Sequence, residues 1–245
     1  MTNNKTAESR VESGEVWNDC CDALKQAGEL INSPKAPQDP FNRAEGYRYL
    51  ARFLRVGLES FMEHSDPAFP TLRCGVHETI KMGADNPDNY YQSASIDPQY
   101  DYRIVGHRGT VNYLGVGTVI NRYNTGGGMK TDGFLDSRHM DIGDDGSVEI
   151  ILSQTEQPGN WLRMSSETNS VNVRQTFQDR QREEKAELVI ERIGAEQDRP
   201  EPLTPQKLDR ALQGSVQFIK NTTGLFEGWA EGFLKTVNEV APADQ

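Results

Sequence analysis

Apolar residues follow a helical period near the start of the chain. The first stripe consists of Val16, Cys20, Leu24, Ala27 and Ile31. Their spacing fits one face of an amphipathic helix, and Asn32-Ser33-Pro34 predicts its end because proline cannot continue a helix. The polar residues 1–13 before this stripe are predicted to be frayed.

Two further helical regions begin with the same signal, a capping side chain followed by proline. Asp39-Pro40 predicts the start of a helix that ends near His64-Ser65-Asp66-Pro67, and Thr204-Pro205 predicts another start. The stripe of the first is Tyr47, Leu50, Ala51, Leu54, Leu58, Phe61 and Met62. The stripe of the second is Leu208, Leu212, Val216 and Ile219, followed by an aromatic-rich segment with Phe226, Trp229, Phe233 and Val237. These aromatic residues are expected to pack on the β domain or on the first helices.

The middle of the chain changes to a period of two, which is typical of strands. Strands are predicted near residues 100–105, 110–123, 147–153, 160–164, 170–177 and 186–193. Asp145-Gly146 predicts a hairpin between residues 137–143 and 147–153. Short strands without intervening helices predict an antiparallel sandwich or barrel. The expected fold class is therefore α+β, with helical segment 1–72, β-sandwich 73–195 and helical segment 196–245.

Charge and composition argue against several classes of function. The 245 residues carry a net charge of −11, which disfavours nucleic acid and anionic membranes because both require a basic surface. No apolar run approaches the roughly 20 residues that span a bilayer, so no membrane insertion is expected. The N-terminus lacks the apolar core of a signal peptide. An odd number of cysteines, Cys20, Cys21 and Cys74, favours a reduced, cytoplasmic protein.

Three motifs suggest ion or phosphate sites but lack essential parts of them. In Gly126–Thr131 a methionine separates the glycines from Lys130, so a mobile hairpin tip is favoured over a phosphate loop. The acidic residues 141–145 lack the closing glutamate of a calcium loop. His107, His139 and Asp141 would form a two-His-one-carboxylate site only if neighbouring strands joined them. No metal is assigned, and the cofactor stays unknown.

Two adjacent tyrosines are the main candidates for ligand contact. Tyr90 and Tyr91 follow the turn-rich residues 83–89 and offer flat apolar surfaces with hydroxyl tips, which suit an apolar ligand that bears an oxygen. The alternative is that one tyrosine fills the core while Asp85 and Asp88 cap turns.

Arginines in predicted strands form a second set of candidates, namely Arg103, Arg108, Arg163 and Arg174. An arginine that faces inward needs a carboxylate or an anionic ligand. Arg174 is expected on the solvent side, paired with an acid such as Glu187 or Glu191.

Four segments resemble bacterial proteins that carry the domain of unknown function 1214. They are residues 83–91 (GADNPDNYY), 102–110 (YRIVGHRGT), Asp145-Gly146 and Asn160-Trp161-Leu162. The resemblance implies an antiparallel jelly-roll-like β-sandwich and supplies no catalytic residues. Relatives of this type are often longer, with a β-rich stretch after helices like residues 208–240. This chain is then either a short form or one portion of a two-part assembly.

Three hypotheses about function remain open. The resemblance associates the family with bacteria that degrade steroids, terpenoids and aromatics, which favours an enzyme or enzyme subunit using acid–base chemistry on a small apolar oxygenated molecule. The candidates for proton transfer are Asp88, Tyr90, Tyr91 and His107, and those for ligand binding are Arg103, Arg108, Asn160 and Trp161. The second hypothesis is a non-catalytic module that binds an apolar or carbohydrate ligand. The third is a structural subunit, either of a homo-oligomer or with a second β-rich subunit.

Overall fold

A computed structural model describes residues 6–239; the parts of the sequence predictions that concern residues 1–5 and 240–245 lie outside the described residues. The helices are α1 (Ala7–Glu12), α2 (Glu15–Glu29), α3 (Pro40–Leu58) and α4 (Pro205–Phe233), and a π-helical turn (Glu59–Glu63) continues α3. The strands are β1 (Arg73–Val76), β2 (Asn89–Ser95), β3 (Tyr102–His107), β4 (Tyr113–Asn121), β5 (Met129–Asp136), β6 (Ser147–Ser153), β7 (Trp161–Arg163), β8 (Ser170–Thr176) and β9 (Glu187–Arg192).

The capping residues found in the sequence start two of the helices. Asp39 accepts a hydrogen bond from the backbone N–H of Asn42 at 3.0 Å, with Pro40 in the first turn of α3. Thr204 caps α4 in the same way. These side chains satisfy N–H groups that have no partner inside the helix. The aromatic-rich segment after Ile219 continues α4 as a single helix.

The expectation of a frayed N-terminus is wrong for residues 7–12, which form α1. Arg10 Nε and Nη2 donate to the two oxygens of Asp209 in α4 at 3.1 and 3.2 Å, and Nη1 donates to Asp19 at 2.9 Å. A guanidinium that bonds two carboxylates fixes this short helix against α4. The pairing joins residues 199 positions apart, so no local pattern predicts it.

Two sheets form the β domain. One has the strand order β1-β2-β8-β4-β5, and the other has the order β7-β6-β3-β9. All pairs are antiparallel except β6 with β7, which is parallel. The mixed α+β class with two mainly antiparallel sheets is thus confirmed.

The predicted hairpin at Asp145-Gly146 is wrong. A tight turn exists there, since Gly146 N–H donates to Gly143 O at 2.8 Å. Residues 137–143, however, form turns and irregular backbone, and β6 pairs with β3 and β7 instead. The strand before this turn is β5, which pairs with β4. Residues 126–128 form the tip of that β4–β5 hairpin.

Apolar side chains are buried in two clusters. The first lies between the sheets and includes Tyr102, Ile104, Leu114, Val116, Ile150, Leu152, Leu162 and Val171. The second joins α2, α3 and α4 to the β domain and contains Ala27, Phe53, Val56, Ile80, Tyr123, Phe218 and Ile219. The helices from both ends of the chain therefore form one layer on the five-stranded sheet's side of the molecule, where Tyr123 follows β4.

A buried carboxylate at the end of β5 predicts acid sensitivity. Asp136 accepts from Arg138 Nη2 at 2.6 Å and from Arg138 N–H at 3.0 Å, and it lies 3.1 Å from His139 Nδ1. The Arg138 guanidinium holds the pKa of Asp136 well below its ordinary value, and the His139 contact adds to this effect. The unfolded chain therefore takes up the proton first, at about pH 4. The stabilisation by Asp136 is present above that pH and is lost as the pH falls through the folded-state pKa.

Asp136→Asn is expected to lower stability at neutral pH and to flatten the acid limb of the pH–stability curve. Urea midpoints between pH 7 and pH 2, followed by circular dichroism, measure both effects. Asp144→Asn on an exposed turn is the control and should keep the wild-type slope. Equal acid slopes for wild type and Asp136→Asn would contradict this assignment.

Candidate functional site

A cavity of about 350 Å³ lies where the helical layer meets the five-stranded sheet. The π-helical turn and the residue after it contribute Ser60, Phe61 and His64 to its wall. Strands β1 and β2 contribute Arg73, Ser93 and Ser95, and the helical side also contributes Phe218. This volume falls at the lower end of the range of small-molecule pockets in proteins.

The π-helical turn at the end of α3 helps shape this wall. Its wider turn is marked by the bond from His64 N–H to Glu59 O at 3.1 Å, which spans five residues instead of four. A π turn shifts the side chains around it relative to a continuous α-helix, and such turns are frequent at functional sites. Here the turn places Ser60, Phe61 and His64 along one cavity.

Short side chains on the sheet leave the space that the cavity occupies. Arg73 lies opposite Ser93 in the β1–β2 pair, and Ser95 lies opposite Ser170 in the β2–β8 pair. Residues opposite each other project from the same face, and alternation adds Ser95 to the face of Ser93. Three serines at these positions leave a hollow beneath the helices, and Arg73 borders it.

Arg73 is a charged group at this hollow with an unused donor. Its side chain is 17% exposed, and Nη2 donates to Ser60 Oγ at 2.8 Å. Nη1 lies 3.5 Å from Glu59 Oε2 and donates no hydrogen bond to residues 6–239. Burial lowers the pKa of Arg73 and Glu59 opposes this shift, yet arginine stays charged because its ordinary pKa exceeds 12. A buried donor without an acceptor is costly, so a ligand oxygen here would be stabilising.

Two other polar groups at the wall lack partners in the described part of the chain. The His64 ring and the Tyr123 hydroxyl make no hydrogen bond to residues 6–239, and both residues line the cavity. Tyr123 is 8% exposed, and burial raises the pKa of its phenol. The hydroxyl therefore stays protonated at neutral pH and is able to donate.

Aromatic rings provide the apolar part of the wall. The rings of Phe61 and Phe218 lie 6.0 Å apart, and Phe218 in turn stacks on Phe53 at 5.5 Å. Tyr123 contacts Phe226 edge-on at 5.9 Å. The cavity thus has an aromatic side formed by Phe61, Phe218 and Tyr123, while most of its other lining residues are polar, chiefly serines and asparagines.

The structure separates the two candidate tyrosines. Tyr90 packs against the core between the sheets, and burial raises the pKa of its phenol. Tyr91 projects from the opposite face, where its hydroxyl accepts from Asn86 N–H at 3.0 Å and from Asn89 Nδ2 at 2.8 Å. Tyr91 shares the face of Ser93 but is turned toward the preceding loop. The alternative in which one tyrosine fills the core describes Tyr90.

Asp88 lies in the turn before β2, whereas His107 ends β3 in the other sheet. Asp88 is exposed, and its backbone carbonyl accepts from Phe177 N–H at 2.9 Å. The His107 ring lies 2.8 Å from Asp145 O through Nε2, while Nδ1 accepts from Gly109 N–H at 3.1 Å. With the proton on Nε2 both ring nitrogens are used, so His107 ties two turns together. The proposed proton-transfer group is therefore not brought together with the tyrosines.

The candidate ligand arginines have partners within the protein. Arg103 Nε and Nη2 lie 2.9 and 2.8 Å from Glu191 Oε2, which matches their cross-strand register. Arg108 Nη1 donates to Gly109 O at 3.1 Å. Arg174 lies 5.6 Å from the Tyr91 ring centre, so its predicted pairing with Glu187 or Glu191 is wrong. Glu191 is already bonded to Arg103 from the adjacent strand.

Asn160 and Trp161 hold the edge of the four-stranded sheet. Asn160 Nδ2 donates to Asp141 O at 2.8 Å and Glu149 O at 2.9 Å, and Oδ1 accepts from Asp141 N–H at 2.7 Å. Trp161 Nε1 donates to Ser153 Oγ at 3.0 Å. These bonds fasten β7 and the preceding loop to β6. Both residues therefore have structural roles, away from the cavity at the helical layer.

The proposed metal triad is not assembled. His139 contacts Asp136, whereas His107 contacts Asp145 and Gly109. Residues 6–239 contain no group of three or more histidine, cysteine or acidic side chains placed to hold a metal ion. In the same range, no helix has the length and apolarity needed to cross a membrane.

The residues at the cavity were missed for identifiable reasons. The pattern at residues 64–67 indicates only a helix end, and Arg73 lies in a strand of four residues that shows no alternation. The available signal lay in β2, where Tyr90, Ala94 and Ile96 alternate with Ser93 and Ser95. That pattern predicts one buried face and one lined by serines.

Comparison with known proteins gives a structural relative without an assigned function. No family model matches the sequence, and no curated protein matches it. A crystal structure of an uncharacterized protein from Burkholderia cenocepacia is 49% identical, with a TM-score of 0.91 over 98% of this chain. This chain spans 66% of that protein's length. A solved structure from Vibrio parahaemolyticus has 16% identity and a TM-score of 0.36, over 70% of this chain and 52% of that chain. The chain is thus similar over nearly its whole length to a longer bacterial protein of known structure.

Proposed function

We propose that the protein binds a small molecule with an apolar body and an oxygen-bearing polar end in the cavity between the helices and the five-stranded sheet. The observation that carries the proposal is Arg73, a mostly buried cation whose Nη1 donates to no described residue, beside walls of Phe61 and Phe218. This keeps the ligand class expected from the sequence. It moves the site from Tyr90 and His107 to a different part of the molecule.

The size and lining of the cavity narrow the class of ligand. About 350 Å³ suits a small aromatic, aliphatic or terpenoid compound better than a bulky one such as a steroid. The aromatic side favours a flat apolar body, since Phe61 and Phe218 offer ring faces and edges. A carbohydrate is disfavoured because it has no apolar body to cover the rings of Phe61 and Phe218, although serine and asparagine side chains line much of the remaining wall.

Catalysis at the same cavity is the second candidate, and His64 is the observation that favours it. Its ring has no hydrogen-bond partner among residues 6–239, and histidine is the side chain most often used to move protons near neutral pH. If the site is catalytic, a bound compound is chemically changed during incubation. Mass spectrometry of the recovered compound should then show conversion that His64→Ala abolishes. Unchanged recovery of every compound that binds would contradict this candidate.

Three further predictions from the sequence stay predictions and do not concern the cavity. They are membership of the domain of unknown function 1214 family, jelly-roll-like connectivity of the sheets and a cytoplasmic location. A structural role in a larger assembly likewise stays a hypothesis, for which sedimentation at several concentrations is the test.

A larger side chain that fills the cavity should abolish ligand binding. Ser93→Leu places a larger side chain in the hollow, and Asn172→Leu is the control because Asn172 lies opposite Ser93 on β8 but outside the lining. Thermal unfolding is measured with benzoate, 3-phenylpropanoate, hexanoate, their primary amides, geraniol and glucose. At a hundred times its Kd, a compound that binds only the folded state should raise Tm by about 5–10 °C.

The expected result is a Tm increase with at least one apolar oxygenated compound, retained in Asn172→Leu and lost in Ser93→Leu. Glucose is expected to give no increase. A panel in which no compound raises Tm would contradict the proposal. So would an increase that persists unchanged in Ser93→Leu.

A further inference from the structure

We infer that the polar end of the ligand is a carboxylate and that Arg73 is the residue that selects it. The inference rests on the proposed function of the same cavity and adds the charge of the ligand. It begins with the state of the guanidinium, which has one nitrogen engaged and another without an acceptor.

The engaged nitrogen fixes the direction of the Arg73 side chain. Nη2 donates to Ser60 Oγ at 2.8 Å, which anchors the planar group to the π-helical turn. Because Ser60 accepts this bond, its own hydroxyl proton remains able to donate, and no described residue accepts it. Nη1 of Arg73 and the Ser60 hydroxyl are therefore two neighbouring donors at one wall. Two neighbouring donors match the two oxygens of a carboxylate.

Glu59 does not neutralise Arg73 effectively. Its carboxylate lies 3.5 Å from Nη1, longer than the distance of about 2.7–2.9 Å expected for a charge-assisted hydrogen bond. The Glu59 side chain is 43% exposed, whereas Arg73 is 17% exposed. Ion pairs with an exposed, mobile partner are weak because water screens them. A carboxylate inside the cavity would approach the same guanidinium more closely and with less water around it.

Arg103 is an arginine that is bonded to a carboxylate of the protein, and it differs in this respect from Arg73. Arg103 contacts Glu191 through Nε and Nη2 at 2.9 and 2.8 Å on an exposed strand. Both arginines have an acidic neighbour, but only Arg73 combines partial burial, an unused nitrogen and a position on the cavity wall. Arg103→Gln is therefore a matched control for Arg73→Gln, because each removes one arginine from a strand.

A carboxylate accounts for the lining better than a phosphate does. A phosphate group carries more charge and three oxygens, which call for several donors with positive charge. The lining has one arginine, and its other polar residues are His64, Tyr123, five serines and three asparagines, which add donors but no permanent positive charge. One cation beside aromatic rings fits a monocarboxylate with an apolar tail.

The test compares matched carboxylates and amides, which differ mainly in charge. Calorimetric Kd values are measured for benzoate and benzamide, 3-phenylpropanoate and its amide, and hexanoate and its amide. Wild type should bind the carboxylate of a pair at least about tenfold more tightly than the amide. Arg73→Gln should weaken carboxylate binding about ten- to a hundredfold, the usual range for losing a hydrogen bond to a charged group. Its effect on the amide should stay within about threefold.

Glu59→Gln should change the affinity for carboxylates in the direction opposite to that of Arg73→Gln. Removing the competing charge is expected to tighten carboxylate binding about two- to fivefold and to leave amide binding unchanged. This variant alters only a partly exposed side chain, so it decides the question even if Arg73→Gln fails to fold. Arg103→Gln should bind both members of each pair as wild type does.

The outcomes separate this inference from the proposed function. If amides bind as tightly as carboxylates, and binding is lost in Ser93→Leu, the cavity is a ligand site but selection of a carboxylate by Arg73 is overturned. Equal effects of Arg73→Gln on both members of a pair overturn it too. If no compound of the wider panel binds, both the site and the inference are overturned.

Discussion

Alanine in place of Gly106 is expected to destabilise the protein by about 3–6 kcal/mol, because a strained backbone and a clash add together. Gly106 has φ of +155°, a region that side-chain-bearing residues rarely adopt. A Cβ atom there would lie 1.9 Å from the backbone oxygen of Glu187 on β9. Both atoms belong to the backbone framework of the β3–β9 pair, so neither can move without opening the sheet.

Urea unfolding followed by tryptophan fluorescence measures this effect. Gly75→Ala is the control, since Gly75 also lies in a strand and a Cβ atom added to it would meet no other atom within 4 Å. The control should change stability by no more than about 0.5 kcal/mol. A Gly106→Ala protein with the wild-type urea midpoint would contradict the register between β3 and β9.

Phe53→Ala is expected to cost about 3–5 kcal/mol, the usual loss for truncating a buried aromatic residue. Phe53 is 0% exposed and lies at the centre of the cluster that joins the helices to the β domain. Its ring stacks on Phe218 at 5.5 Å and lies 4.5 Å from Tyr49. Removing it leaves a void behind Phe218, which lines the cavity.

The same substitution should weaken binding of aromatic compounds, because Phe218 loses the support that holds its ring in place. Calorimetry below the unfolding temperature measures this second effect. Phe41→Ala is the control on the same helix; Phe41 is 71% exposed, so stability should change by no more than about 0.5 kcal/mol. Equal stability of Phe53→Ala and wild type would contradict the helix packing described above.

Local signals predicted α2, α3, α4 and most of the strands, but not α1. Asp39-Pro40 and Thr204-Pro205 mark helix starts because capping depends on adjacent residues only. The alternation in β3, β6 and β8 is clear because one face of each strand is buried between the sheets. The parallel pairing of β6 with β7 was not predictable, since strand direction depends on connections that the sequence pattern does not reveal.

For the candidate site, the sequence predicts the class of ligand but not the position of the cavity. The sequence favours Tyr90, His107 and Asn160 because they are polar or aromatic residues near turns, and the structure gives each of them a partner or a place in the core. The cavity instead depends on Arg73 meeting Ser60 from the π-helical turn. That contact requires the helical layer to lie on β1 and β2, and the sequence pattern identified neither strand.

The most direct measurement is a crystal structure of the protein with 4-bromobenzoate, in which anomalous scattering locates the bromine. The bromine is expected inside the cavity against Phe61 and Phe218, with a carboxylate oxygen about 2.7–2.9 Å from Arg73 Nη1. Bromine found only elsewhere on the molecule at saturating concentration would contradict the site. A carboxylate turned away from Arg73 would contradict the role of that residue.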